Sequence, residues 1–575
     1  MRIALPIALL LLIVTGAVPA EAAMAPGRVV FSVGAPEPQK NVDAAGASAA
    51  VALPDGGALL IAPDAGRRLV AARIRSDGSL QRGFGRDGIA HVRLPLRDPP
   101  ASGPPGRPFT PLQALAQPDG RLIVVGMGLA RTRLELPQMI LVRLRADGAL
   151  DRTFGQDGVA QPGLQASCGG FCHPGSIQAD GSIVVTGNTG GLLAPPTGPD
   201  APANFQWVVA RLTPAGALDP SFGPNGLVAI PSVPGMQNGG FGAALLGDGR
   251  IVALGRETSS PLLTRLLPTG APDPSFHGGV PAPLPIPFTL NMALHPDGFV
   301  DVLGQQRLLR YRSDGEPDLT FGAGGAVDLP AGGDMPRLLP LAARAVLIYT
   351  GTGLDPRPAQ FGDLVVRRIA ADGSFDSATG GASGLTLTFG FGGGVASPRV
   401  PDQPAGLGEL RQTSFRTAEA MQRADGSLLV AGAVRVVRYT GEGAGLSTGR
   451  FAVGATTPAL TVDRRFGGPA SRPRLDLRVI RQRARTSARL GRVALRARAS
   501  GPGLAFIRVR ARGRVIARGV EPLFAEGRTT IRLPTTAIGE RLLRRRTPLR
   551  LTVTARWRDL LAQQTVVRTR ATLQQ

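Results

Sequence analysis

A two-part motif recurs along this chain, and its spacing restricts the fold to a repeat built from small β-sheets. The first part is a turn leading into an apolar run: LPDGGALLIA at Leu53, QPDGRLIVVG at Gln117, QADGSIVVTG at Gln178, LGDGRIVALG at Leu246, HPDGFVDVLG at His295 and RADGSLLVAG at Arg423. The second part follows each copy, as LVAARIRSDGSLQRGFG, ILVRLRADGALDRTFG, WVVARLTPAGALDPSFG, LLTRLLPTGAPDPSFH, RLLRYRSDGEPDLTFG and the more degenerate LVVRRIAADGSFDSATG. An Asp-Gly pair between apolar residues is a strong hairpin signal, because Gly tolerates positive φ and Asp bonds its own backbone. Further apolar alternations, such as Gly88 to Val92 and Gly226 to Ile230, bring each unit to about four short strands.

The closing Phe recurs at Phe84, Phe154, Phe222, Phe276, Phe321, Phe389 and Phe466, which gives seven units 45 to 77 residues apart. The sixth unit is the poorest, with RLLPLAARAVLIYTG from Arg337 where its Asp-Gly hairpin belongs, and the seventh is interrupted between Tyr439 and Val462. Four-stranded units repeated radially make a β-propeller, in which each sheet buries its faces on its neighbours and closure leaves only short edges. An open solenoid is the alternative, but the unit is longer than one coil of a β-helix. The expected fold is therefore all-β, an approximately seven-bladed propeller. The succession of P-D-G, an apolar run and Gly, then R-L-x-x-D-G-x-L-D-x-x-F-G, resembles the delta-60 repeat family of bacterial exported proteins over Gly27 to Gly468. The resemblance implies a propeller and carries no biochemical activity with it. The sequence departs from the pattern in the sixth unit and at His277, which replaces the Gly after Phe276.

After Gly468 the motif gives way to Arg-rich alternation. Leu549, Leu551, Val553, Ala555 and Trp557 alternate with Arg550, Thr552, Thr554, Arg556 and Arg558, the period of a half-buried strand, and Val493 to Ala499 repeats it. About six such strands over 470–575 predict a small β-sandwich of immunoglobulin-like or fibronectin-like type, with a short helix over Ile538 to Arg546. The net charge of +24 is concentrated here: residues 470–575 hold 26 Arg against five acids, and the rest of the chain is close to neutral. Lys40 is the only Lys, so the preference for Arg over Lys points to a GC-rich genome rather than to selection for Arg chemistry.

The first residues read as an export signal. Arg2 supplies the basic start, Leu5 to Val18 the apolar run, and Ala20-Glu21-Ala22 the small-x-small cleavage rule, so residues 1–22 are expected to be removed. No later run is long and apolar enough to span a bilayer, and the expected location is secreted or attached to the cell envelope.

Candidate chemistry is sparse. Cys168 and Cys172, in SCGGFCHPG, are the only cysteines, and in an oxidising compartment they are expected to form a local disulfide. With His173 they approach a covalent haem motif, but one residue too many separates them. Asp151, Asp219, Asp273, Asp318, Asp376 and Asp463 recur in the D-x-x-F-G context, where Asp can bond nearby amides and Phe can pack between blades. Acids arriving one per unit do not make a calcium site, which needs six or more clustered oxygens. The histidines His91, His173, His277 and His295 are scattered over different units, and no metal pair, phosphate loop or nucleophile elbow is present. No cofactor, metal or catalytic residue is read from the sequence. The expectation is a binding or scaffold protein whose basic C-terminal domain attaches to an anionic envelope polymer or a surface protein, without nucleic acid. The alternative, a hydrolase or lyase at the propeller axis, requires His or acidic side chains to converge on one face.

Overall fold

The computed structural model describes residues 22–25, 28–31 and most of 49–574; left aside are 64–67, 97–108, 129–137, 166–172, 190–205, 232–237, 330–336, 353–360, 378–384, 389–409, 440–444, 468–473, 560–563 and a few shorter stretches. The described chain is all-β apart from two short α-helices and two 3-10 turns. Among the described residues no helix is long and apolar enough to cross a membrane.

The Asp-Gly pairs form hairpins through local chemistry. In the second unit Gly120 takes φ 81, its N–H donates to Gln117 O at 3.0 Å, and Asp119 Oδ1 accepts from Arg121 N at 2.9 Å. The same carboxylate-to-amide bond recurs at Asp77 and Ser79, Asp147 and Ala149, and Asp314 and Glu316. The sixth unit makes its hairpin without an Asp-Gly pair: Arg337–Pro340 pairs with Val346–Thr352, Leu341 N donates to Ala345 O at 2.8 Å, and Ala343 carries φ 54. An L residue is disfavoured in that left-handed region, so pairing on both sides overrides the turn chemistry here.

In chain order the strands form six four-stranded antiparallel sheets and a seventh of five strands. Their first strands are Ala49–Ala52, Phe109–Ala116, Gly175–Ile177, Asn238–Leu245, Thr289–Leu294, Arg337–Pro340 and Leu410–Gln422. Each first strand touches the next in order, and the seventh returns to the first. Central strands are covered on both faces; Gln138–Leu144 is buried at every position. That is why the sequence shows apolar runs there instead of clean alternation.

Separate cores lie between successive sheets. Leu59, Val124 and Phe84 belong to the core between the first and second sheets, and Ile123, Val208 and Phe154 to that between the second and third. Ala50, Leu60 and Val70 meet Met421, Leu429, Val453 and Phe466 where the seventh sheet joins the first. The seventh sheet is completed from the other end of the chain: Arg28–Phe31 pairs with Gly445–Thr456, Arg28 opposite Gly454, and Ala22–Ala25 pairs outside it. The sequence motif gave no sign of this pairing.

Beyond the ring, Leu475–Val479, Arg492–Ala499 and Gly527–Pro534 form a three-stranded sheet, and Arg514–Leu523, Gly503–Ala511, Leu549–Asp559 and Gln564–Leu573 a four-stranded one. One core that includes Leu495, Ile531, Ile507, Val553 and Trp557 joins the two sheets. The helix Ala537–Leu543 starts at Thr536, whose Oγ1 accepts from Gly539 N at 3.0 Å. A second helix, Ala484–Leu490, was not expected from the sequence.

Candidate functional site

The repeated motif residues lie at the junctions between sheets. Phe84, Phe154, Phe222, Phe276, Phe321 and Phe466 are all fully buried. In four units the acid at the motif Asp position meets Arg from the third strand of its sheet: Arg143 Nε donates to Asp151 at 2.8 Å, Arg211 Nε to Asp219 at 2.7 Å and Arg265 Nε to Asp273 at 2.6 Å, and Arg368 Nη1 lies 3.5 Å from Asp376. The same guanidinium reaches the next unit, where Arg143 Nη1 donates to Pro214 O at 2.6 Å and Arg211 Nη1 to Pro268 O at 2.7 Å. It also covers the motif ring, at 4.7 Å for Phe154 and 4.8 Å for Phe222. Burial works to raise the Asp273 carboxyl, but hydrogen bonds from the Ser275 hydroxyl and amide and pairing with Arg265 outweigh it and hold it at about 2.

Two units vary this scheme. In the fifth, Asp318 accepts from Thr320, while Arg310 turns to Asp301. In the seventh, Asp463 N bonds Ala455 O where other units place Arg, and Arg423 comes instead from the first hairpin, 3.9 Å from Asp463 and 5.5 Å from the Phe466 ring.

The Gly after the motif Phe makes a backbone latch to the next unit. Gly85 N donates to Asp147 O, Gly155 N to Ala215 O and Gly322 N to Asp372 O, each at 2.8 Å, and Gly467 N donates to Asp77 O of the first unit at the same distance. Gly155 has φ 54, and a Cβ there would lie 2.2 Å from Val159 O. His277 occupies this position in the fourth unit at φ 46, and the loop adapts through a 3-10 turn over His277–Gly279. These residues hold the sheets together, and none of them lines the cavity bounded by the first strands.

The functional candidate is the cavity enclosed by the first strands. Its volume is about 530 Å³, and its lining draws on all seven sheets, from Val51 in the first to Glu419 in the seventh. Most of the wall is apolar, with Leu115, Leu254, Met292 and Leu338, and a pocket of 300–1,000 Å³ with a few placed polar groups is the usual form of a small-molecule site. Four first strands are irregular where they meet it. Register shifts fall between Pro111 and Gln113, Gly240 and Gly242, Thr289 and Asn291, and Thr417 and Glu419. Such bulges re-aim side chains and concentrate beside functional sites. Here they bring Gln113, Phe241, Asn291 and Glu419 to the cavity.

The polar groups of the wall converge on His173. Its Nε2 lies 2.8 Å from Glu419 Oε2 and 3.0 Å from Arg337 Nη1, and its Nδ1 lies 3.4 Å from Asn291 Nδ2. With Nδ1 facing an amide donor, the ring proton belongs on Nε2, where it donates to Glu419. Asn291 is buried, and its Oδ1 has no hydrogen-bond partner among the described residues. Gln113 is occupied by the backbone, its amide donating to Gly175 O and accepting from Gly175 N, both at 2.9 Å. Phe241 is half-buried in the wall, with Arg256 5.4 Å over its ring. Among the described residues no three His, Cys, Asp or Glu side chains gather as a metal site.

Of the residues singled out in the sequence, Cys168, Cys172 and Phe389 lie outside the described residues. His173 was noticed only as the neighbour of the Cys pair, and the other histidines stay away from the cavity. Glu419, Arg337 and Asn291 were missed: each comes from a different sheet but from the same place in it, four residues before the turn of the first hairpin, a position that precedes the turn-and-run motif and so falls outside it.

Consecutive four-stranded sheets around a cavity bounded by their first strands define a β-propeller type of repeat protein. The family described as a domain of unknown function (DUF5122) β-propeller matches residues 117–154 and 246–276, which supports a β-propeller repeat family. No curated protein matches. Among solved structures, prolyl oligopeptidase B from Galerina marginata is similar at 11% identity and a TM-score of 0.36, over 79% of this chain and 55% of that one. PorZ, a surface component of the type-IX secretion system of Porphyromonas gingivalis, is similar at 10% identity and a TM-score of 0.28, over 96% of this chain and 59% of that one. An α-L-arabinanase from Penicillium chrysogenum is similar at 13% identity and a TM-score of 0.32, over 58% and 94%. The chain thus spans little more than half the length of the first two.

Proposed function

We propose that this chain is an exported binding protein of the delta-60 repeat type: a seven-bladed propeller that takes a small ligand in its axial cavity, followed by a β-sandwich that attaches to an anionic surface of the envelope. The observation that carries the reading is the convergence of Asn291, Arg337 and Glu419, from three different sheets, on His173, with His173, Asn291 and Glu419 lining one cavity. Three separate strands, and the residue just before a fourth, supply groups that the repeat motif does not require, and the bulges that aim Asn291 and Glu419 cost ladder pairing. Glu419 and Arg337 oppose each other in charge, so the cluster suits a compact, uncharged ligand. The buried Asn291 Oδ1 would accept one of its donors, and the apolar walls would take the rest.

The test is a thermal-shift and calorimetric screen of the mature protein against small neutral metabolites. A ligand at about 100 times its Kd should raise the stability of the ring by about 2.7 kcal/mol. Ala244→Trp, which fills the cavity, and Asn291→Ala should abolish that gain, and a gain that survives both places the ligand elsewhere. A hydrolase or lyase is the second reading, favoured by the His173 Nε2 poised between Glu419 and Arg337. It requires turnover in a panel of chromogenic hydrolase and lyase substrates, lost in His173→Gln and Glu419→Gln while binding persists.

A further inference from the structure

We propose that the outer face of the C-terminal four-stranded sheet is a trough for a linear polyol-phosphate polymer of the envelope, an inference that rests on the surface-attachment reading above and names its partner. The strand Leu549–Asp559 lies between Gly503–Ala511 and Gln564–Leu573. Its inward residues Leu551, Val553, Ala555 and Trp557 are in the core, and Arg550, Thr552, Thr554 and Arg556 alternate with them on the other face. The register then places Thr552 between Arg510 and Arg570, and Thr554 between Arg508 and Arg568. Two short hydroxyl side chains form a floor, two Arg stand on either side, and Arg550 and Arg556 stand at the ends.

Strand spacing sets the dimensions: the two Arg ridges are about 10 Å apart, successive Arg along a ridge about 7 Å, and the trough about 20 Å long. Arg508 also faces Arg518 directly across the next strand pair, and like charges in that position destabilise a sheet. Among the described residues no carboxylate pairs with Arg508, Arg510, Arg518, Arg550, Arg556, Arg568 or Arg570, and no acid occupies the outward alternation of these three strands. A GC-rich genome accounts for Arg in place of Lys, but it does not account for the lack of acids.

The shape selects the partner. Arg forks grip phosphate in a bidentate way, and Thr hydroxyls add donors from below. A single extended chain fits between two ridges, whereas a flat bilayer would meet only their tips. Single-stranded nucleic acid binds on aromatic platforms; the floor has none, and Phe506, the one aromatic on these outward positions, is half-buried beside Arg556 at one end.

The test uses the full mature protein and a synthetic poly(glycerol phosphate) of about ten units, followed by calorimetry at several salt concentrations. Arg568→Gln with Arg570→Gln should weaken binding at least tenfold and reduce the salt slope by about 2. Thr552→Val with Thr554→Val should weaken it at unchanged slope. Arg496→Gln with Arg532→Gln, the same charge removed from the other sheet, should leave it unchanged. Equal losses from both Arg pairs would reduce the effect to bulk charge and overturn the trough. So would tighter binding to phosphatidylglycerol vesicles, single-stranded DNA or polyglutamate than to the polymer. Retention on washed envelopes that ignores the trough variants would leave attachment standing and remove this assignment; no retention at all removes both.

Discussion

Replacing Asp301 with alanine is expected to destabilise the ring by about 3–5 kcal/mol, read as a lower Tm and a lower denaturant midpoint. Asp301 and Arg310 are fully buried, and the carboxylate accepts from Arg310 Nε at 2.6 Å and Nη2 at 2.8 Å. His295 Nε2 approaches the same carboxylate at 2.9 Å. Removing it leaves a guanidinium out of water with two fewer acceptors, and the bonds to Ala371 O and the stack on Phe321 cannot replace them. The pair is costly to break without being costly to replace. Asp301→Leu with Arg310→Met should therefore recover most of the loss. A loss under about 1 kcal/mol for Asp301→Ala would mean that water reaches the pair.

Phe154→Ala is expected to cost a similar amount, about 3–5 kcal/mol. The ring is fully buried in the core shared by the second and third sheets, and Arg143 lies 4.7 Å above it. It also supports the next unit, where a Cβ at Gly216 would lie 2.7 Å from the ring. The cavity would loosen the contact between sheets more than either sheet internally. Hydrogen exchange should quicken first at Gly155 N and Gly216 N, whose bonds to Ala215 O and Thr213 O flank the site, and Phe154→Leu should restore most of the protection. Uniform acceleration across both sheets would argue that the ring unfolds only as a whole.

The repeat architecture was legible because the hairpins are written in short-range chemistry: Asp-Gly for the turn, an apolar run for the doubly covered strand, Phe for the junction. The sixth unit shows the limit, since its hairpin forms around Ala343 with no turn signal and is imposed by its neighbours. The strand Arg28–Phe31 carries no motif, and its partner lies at the far end of the repeats, so local pattern could not place it. One departure within the motif was there to be read. Asp301 is an acid inside the apolar run of HPDGFVDVLG, where the other copies are apolar or Thr. The cavity cluster had no such mark, because Asn291 and Glu419 are aimed by bulges and Arg337 opens a strand in the unit that departs most from the motif. In the C-terminal region the strict alternation of strands covered on one face made both the core and the Arg face legible, while the helix Ala484–Leu490 had no comparable pattern.

Pairing Arg28–Phe31 with Gly445–Thr456 fixes the order of events during synthesis. The residues that emerge first cannot take their place until the last sheet of the ring has followed, so an open arc with two unsatisfied strand edges must exist for as long as the intervening chain takes to appear. Such edges invite pairing with other chains. Closing so distant a contact adds little entropy cost per extra residue but much delay. Folding of this chain is therefore expected to depend on keeping the strand Arg28–Phe31 unpaired until its partner arrives.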